Sequence, residues 1–372
     1  GSEMCIRDRV EAGTLSLVYT DGPEIKAQNI KPGWSTTKEV SVKNNGTLGA
    51  YYNVIWQSLT NTITNNELVI EATCKRLNSS GTVEGTCESI SQTPVSSNTI
   101  KKKISIEPNI THEYTVKVTF IDTGEPQNYN KNKSFNGKLG IEEYVPTQFE
   151  KDSWTAIVAN VKANKISQYN VGDTKSVNLG TYGTHTLRIA NTSTPSECSG
   201  TGFSQSACGF VLEFADIITT HKMNDKRTNV GGWPATSMRT FVNNDIYNAI
   251  PSEIKNAIID TTVVSGHGKS DTENFTSTDK LYLLTLKEIY TDWGAISYDT
   301  AKDLTRTLDY YKNLGTSTSN YSGAIKKNGT SASRWWLRAA YSNTAFTFLF
   351  VSDSGGWSAN NASTVSYTHL RA

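Results

Sequence analysis

The sequence contains no apolar run near the roughly 20 residues that a membrane-spanning helix needs, and no signal-peptide pattern. No membrane contact by this chain is therefore expected, and any export signal or anchor is expected outside it. Charge of one sign is also missing, since 36 Lys and Arg against 35 Asp and Glu leave a net +1. That balance gives no electrostatic footprint for nucleic acid. The one basic cluster, Lys101-Lys102-Lys103, adjoins the strand-like Ile104-Ser105-Ile106 and reads as a solvated edge.

Motifs that would carry catalysis are incomplete. SGHGKS (Ser265 to Ser270) has the end of a phosphate-binding loop, but Val263 stands where its first glycine belongs. Glu107-Pro108-Asn109 matches half of a calcium-dependent sugar motif, and its WND partner occurs nowhere. His112, His185, His221 and His267 are spaced unlike metal ligands, and no Ser or Cys has a nucleophile-type context. Asp271 and Glu273 after His267 form an acidic cluster that could hold calcium, but loops of this composition are usually just solvated. No catalytic residue, metal or cofactor is expected, and the chain is read as a non-enzyme.

Both ends look foreign to a fold. Gly1-Ser2 reads as a cloning scar, and MCIRDR (Met4 to Arg9) and VSYTHLRA (Val365 to Ala372) resemble translated sequencing-adapter sequence, as at the ends of metagenomic reading frames. Residues 1–9 and 365–372 are accordingly set aside, with Cys5 and His369. The four other cysteines fall into two close pairs, Cys74 with Cys87 and Cys198 with Cys208, each flanking a turn-rich stretch. Neither pair has the C-x-x-C spacing or histidine neighbours of a metal site, so disulfides closing short loops are expected, each worth about 3 kcal/mol, with free thiols as the alternative. Disulfides imply an exported protein.

From 10 to 145, strand-like segments such as LSLVY, KEVSVKNNGTLGAYYNVIW and EYTVKVTFI alternate with Asn-Gly and Pro-Gly turns, predicting an antiparallel sandwich. Residues 146–153 read as a linker. Beyond them Ser153 can cap a helix with Trp154, Ile157, Val158 and Val161 on one face. A second helix is predicted after Trp233-Pro234, carrying Met238, Phe241, Val242, Ile246 and Ala249. A third is predicted over Thr300 to Leu314, ended by Gly315. Short strands (HTLRIAN, CGFVLEF, TTVVSG, KLYLLTL, RWWLRAA, FTFLFV) lie between them without a βαβ rhythm, so residues 154–364 read as an α+β domain.

The tail from Ser333 to Thr364 has no Lys, Glu or Gln. Phe348, Val351, Gly355 and Trp357 form a spaced frame, F-x-x-V-x-x-x-G-x-W, which together with Trp335 and Trp336 reads as structural. The gap residues Tyr341, Ser342, Asn343, Thr344, Thr347, Leu349, Phe350, Ser352, Asp353, Ser354, Ser358, Asn360 and Asn361 read as an exposed ligand face. Aromatic and small polar residues suit recognition, supplying contact area at low entropy cost and adaptable hydrogen bonds.

Two resemblances add to this. NIKPGWSTTKEVSVKNNGTLGAYYNVIW resembles the immunoglobulin-like domains of camelysin-type surface proteins of Gram-positive bacteria. GGWPATSMRTFVNNDIYNAIP, TSTDKLYLLTLKEIY, LDYYKNLG and WWLRAA with the frame resemble a bacterial domain of unknown function grouped with C-type lectin-like folds. The tail is also similar to the variable region of proteins diversified by retroelements, though the usual ending G-V-x-P-A-F is absent. Adenine-confined mutagenesis of Asn codons never yields Lys, Glu, Gln, Met or Trp, and between Tyr341 and Thr364 only the frame residue Trp357 belongs to that set.

The resemblances imply an extracellular protein of a bacterial surface or a phage virion, an immunoglobulin-like sandwich followed by a C-type lectin-like domain, that binds a protein or glycan on another cell or virion. A structural module of a surface layer is the alternative. A formylglycine-generating-type enzyme is a third reading, weakened because no Cys follows Cys208.

Overall fold

The computed structural model describes residues 2–7, 14–21, 24–294 and 297–368. The chain divides into two compact units, Gly1–Val145 and Pro146–Ala372, and is β-rich throughout.

The first unit consists of two antiparallel sheets. One runs Ser2–Arg7, Thr14–Thr20, Ser35–Asn44, Thr111–Phe120, Leu68–Leu77 and Val83–Thr86, with Ile90–Pro94 also paired to Leu68–Leu77. The other runs Ile25–Gln28, Ser134–Tyr144, Ala50–Asn61 and Lys101–Ile106. Strict alternation makes this work: in Thr111–Phe120, His112, Tyr114, Val116, Val118 and Phe120 are buried while Lys117 and Thr115 face water. Residues of both sheets, Val116 and Val40 from one and Tyr52 and Leu139 from the other, join in a single core. Cys74 and Cys87 are bridged across neighbouring backbone with their Cα atoms 5.0 Å apart.

The residues read as a linker belong instead to the second unit. Thr147 caps a helical turn, Gln148–Lys151, accepting from the Glu150 amide at 3.2 Å. Phe149 within it is fully buried against Trp154 and Tyr169, so apolar burial outweighs the polar composition that suggested a linker. The next helix, Trp154–Lys162, starts where expected, Ser153 Oγ accepting from the Ala156 amide at 3.1 Å.

The second predicted helix spans Ser237–Phe241, a π-type turn at Val242–Ile246 and Tyr247–Ala249, and buries Met238, Val242 and Ile246. The third is shorter than its pattern, with Asp309–Leu314 helical and Gly315 at φ +67° closing it. Thr305 is extended because Arg306 turns inward to Glu197, Asn191 and the Ala207 carbonyl.

KLYLLTL is not a strand. Leu281, Leu283 and Leu284 are fully buried, and the Asn243 side chain and Arg338 satisfy the backbone that a ladder would otherwise pair.

The largest sheet of this unit has five strands in the order Thr219–Lys222, Val365–Thr368, Trp335–Ala340, Thr347–Val351 and Trp357–Asn361. Cores lie on both of its faces. Trp336, Phe348 and Phe350 enter one core with Trp233, Met238 and Val242, and Trp335, Leu337, Leu349 and Val351 enter the other with Tyr290 and Tyr311.

The end segments set aside as adapter-like are paired in these sheets. Ser2–Arg7 runs antiparallel to Thr14–Thr20, and Val365–Thr368 pairs with Thr219–Lys222 and, in parallel, with Trp335. β-Branched and aromatic residues at Val365, Tyr367 and Thr368 suit a strand, and an open ladder between two strands takes one up. The place of the absent closing motif is thus paired rather than empty. Residues 8–13 and 369–372 lie outside the described residues.

Candidate functional site

The tail does not present one face. Thr347, Leu349 and Phe350, read as ligand contacts, are buried, because every residue of Thr347–Val351 lies between two cores. Alternation along this strand separates one core from the other, and each core takes one frame and one gap position, Phe348 with Phe350 and Val351 with Leu349. The frame residues Trp335, Trp336, Phe348 and Val351 are also buried. Gly355 sits at φ +94°, where a Cβ would lie 2.1 Å from the Tyr321 carbonyl oxygen, so only glycine fits. Trp357 is half-buried.

The remaining candidates fall in three places. Tyr341, Ser342, Asn343 and Thr344 form the turn entering the strand Thr347–Val351, and Ser352, Asp353 and Ser354 form the turn leaving its other end. Ser358 and Asn360 stand opposite Phe350 and Phe348 and share their side of the sheet, while Asn361, opposite Thr347, is on the reverse side.

One surface does collect recognition-type groups. The rings of Tyr341, Tyr298, Trp357 and Trp293 form a continuous run: Tyr341 to Tyr298 is 5.2 Å between centroids, Tyr298 to Trp357 5.2 Å, and Trp357 to Trp293 5.0 Å. Tyr298, Tyr341 and Trp357 are half-exposed and Trp293 is buried behind them. All four rest on the core that contains Leu349 and Val351, so the run is held rigidly. Polar groups border it. Ser342 donates through its amide to the Tyr298 carbonyl at 3.2 Å and through its hydroxyl to the Ser297 carbonyl at 3.1 Å. Asn343 Nδ2 donates to the Tyr341 hydroxyl at 3.3 Å. Among the described residues the buried Trp293 Nε1 finds no acceptor.

Tyr298 and Trp293 escaped the sequence reading. The signal was present, since TDWGAISY (Thr291 to Tyr298) has the same mix of aromatic and small residues as the tail. Asn229 was missed too, and no local pattern marks it. Its Nδ2 donates to the carbonyls of Thr344 and Thr347, each at 2.9 Å, and to that of Tyr341 at 3.4 Å, fixing the turn that carries Tyr341 to Thr344.

Other chemistry-bearing groups are engaged in structure. Cys198 and Cys208 are bridged, as are Cys74 and Cys87, and His112 lies within 4.8 Å of the latter pair. Two sulfurs bonded to each other offer no thiolate, so this trio is not a metal site while oxidised. SGHGKS forms a packed bend: a Cβ on Gly268 would strike the Asn229 side chain at 2.2 Å, and the Lys269 amide donates to the Thr344 carbonyl. Asp271 accepts from the Gly231 amide at 2.9 Å.

Arg338 is fully buried and joins Glu288, which also accepts from Ser206 at 2.5 Å and Thr305 at 2.7 Å. Burial pushes the nearby Asp299 carboxyl up, and Thr285 donates to it. Every member of this polar cluster is buried.

A family model described as "Domain of unknown function (DUF6273)" matches residues 210–371. No curated protein sequence matches the chain. Among solved structures, one of the infectious bursal disease virus Gx strain is 11% identical with a TM-score of 0.22, covering 35% of this chain and 32% of that one. The VP2 subviral particle of the same virus is 10% identical with a TM-score of 0.22, over 35% and 32%. A family 123 glycoside hydrolase from Clostridium perfringens is 14% identical with a TM-score of 0.17, over 30% and 19%. This chain thus spans about a third or less of those chains, and likeness at this level carries no argument about what it does.

Proposed function

We propose that the chain is an exported binding protein in which a C-type lectin-like second unit presents a ligand face, and an immunoglobulin-like first unit accompanies it. Its ligand is a protein or glycan at a bacterial surface or on a virion. The observation that carries this reading is the half-exposed run of Tyr341, Tyr298 and Trp357, backed by a core and bordered by Ser342 and Asn343. Rigid aromatic area with adaptable polar neighbours is what recognition surfaces use, and aromatic anchors carry most of an interface's energy. The two disulfides favour an oxidising compartment, and no helix among the described residues is long and apolar enough to cross a membrane.

Retroelement diversification belongs to the same proposal, confined to the turns. Positions 342–344 and 352–354 are outside the cores and Tyr341 packs against one only in part, whereas 349 and 350 are buried within them. An Asn-codon-rich near-repeat of the tail beside a reverse transcriptase, in the downstream DNA, is the expected genomic mark.

The test is a screen of glycans and bacterial surface proteins with the parent and a Tyr298→Ser, Tyr341→Ser double variant. The expected result is a specific parent ligand lost in a variant that melts normally. A ligand that both bind equally removes the aromatic run from the site.

A second reading, a structural module of a surface layer without a specific ligand, draws on the division of the polar candidates among three places. A parent that binds nothing in the screen but self-associates would favour it.

A further inference from the structure

The helix Trp154–Lys162 was expected to bury one apolar face, and it does so incompletely. Ile157 is 2% exposed, while Val158 and Val161 remain half-exposed along a groove of about 360 Å³. Ile254, Ala257, Ile258, Ile259 and Thr262 line it as well, and Ile259 is 75% exposed. Val211, Tyr282 and Cys208, the last held by its disulfide, complete the lining. All of this lies within the second unit and shares no residue with the aromatic run.

Charge in the lining is sparse. Only Lys162 and Asp260 among the lining residues are ionic. Asp260 is paired with Lys280 at 3.2 Å, whereas the exposed Lys162 has no ion-pair or hydrogen-bond partner among the described residues. Asp260 is thus engaged by a neighbouring ammonium, and Lys162 is the unpaired charge of the lining. The volume is at the lower end of the roughly 300 to 1,000 Å³ typical of small-molecule sites, which suits one flexible chain better than a multi-ring ligand. Leaving Ile259 and the two valines wet costs free energy that an apolar chain laid in the groove would recover.

We propose that this groove binds a free single-chain amphiphile with an anionic head, its hydrocarbon tail along Ile157, Val158 and Val161 and its head at Lys162. The site is independent of the aromatic run, so either can fail without the other.

The probe is dodecanoate below its micellar concentration, titrated calorimetrically into the intact chain, with dodecanol and dodecyltrimethylammonium alongside. Saturable one-to-one binding of dodecanoate is expected, at least three-fold tighter than dodecyltrimethylammonium. Lys162→Glu should weaken dodecanoate three- to ten-fold and leave dodecanol unchanged. Val158→Trp should fill the groove and abolish binding of all three, and Ile259→Asp at its exposed position should weaken them without touching the core. No saturable binding, an equal response to both head groups, or full binding in a folded Val158→Trp or Ile259→Asp variant would overturn the proposal.

Discussion

Arg338 grips the carboxylate of Glu288 at two points, 2.7 and 2.8 Å, with both side chains fully buried in the second unit. The guanidinium also donates to the carbonyls of Leu283 and Val264, at 2.9 and 3.1 Å, tying the strand Trp335–Ala340 to two neighbouring segments. A buried pair adds little over apolar residues of the same volume, but breaking it strands a charge.

Glu288→Ala or Arg338→Ala should therefore each destabilise the second unit by about 3 to 5 kcal/mol, and the double change should cost much less than the sum. Only Trp34 and Trp56 of the eight tryptophans lie in the first unit, so denaturant unfolding followed by tryptophan fluorescence reports mainly on the second. Additive single effects would mean the pair is not coupled.

The burial of Leu349 and Phe350 has an equally direct consequence. Leu349→Ala should cost about 2 to 5 kcal/mol and Phe350→Ala about 3 to 5, as large-to-small core changes do. Asp353→Ala and Ser354→Ala, in the exposed turn, should stay within about 0.5 kcal/mol. Melting curves of the four variants decide it. A Leu349→Ala protein that melts like the parent would return that residue to the surface.

In the first unit, His112 is buried and its Nδ1 is 2.7 Å from the Tyr52 hydroxyl. Burial, with Arg76 adding to it, lowers its pKa to about 4. An unfolded histidine takes a proton as pH falls through about 6.5, while the folded one stays neutral until about 4. The unfolded state then holds more protons, so stability is full above pH 6.5 and declines toward pH 4, by up to about 1.4 kcal/mol per unit. Denaturant midpoints of the parent across this window should fall with acid, and those of His112→Gln should fall less steeply. Parallel curves would assign the acid sensitivity elsewhere.

Local rules made much of this chain legible before any tertiary contact was known. The period-two pattern of Thr111 to Phe120, the cap at Ser153, the left-handed stop at Gly315 and the short loops between paired cysteines each depend on a few adjacent residues, and each is realised. What the sequence could not settle was which side of an alternating strand meets solvent. In FTFLFV both sides are apolar enough to bury, and only the packing of helices and loops on the two faces of the five-stranded sheet turned Leu349 and Phe350 inward. The same holds for Asn229, Tyr298 and Trp293, which lie far along the chain from the turn and strand they support. Their proximity to Tyr341 and Trp357 comes from long-range pairing that no local period encodes, so the aromatic run exists only in the folded chain.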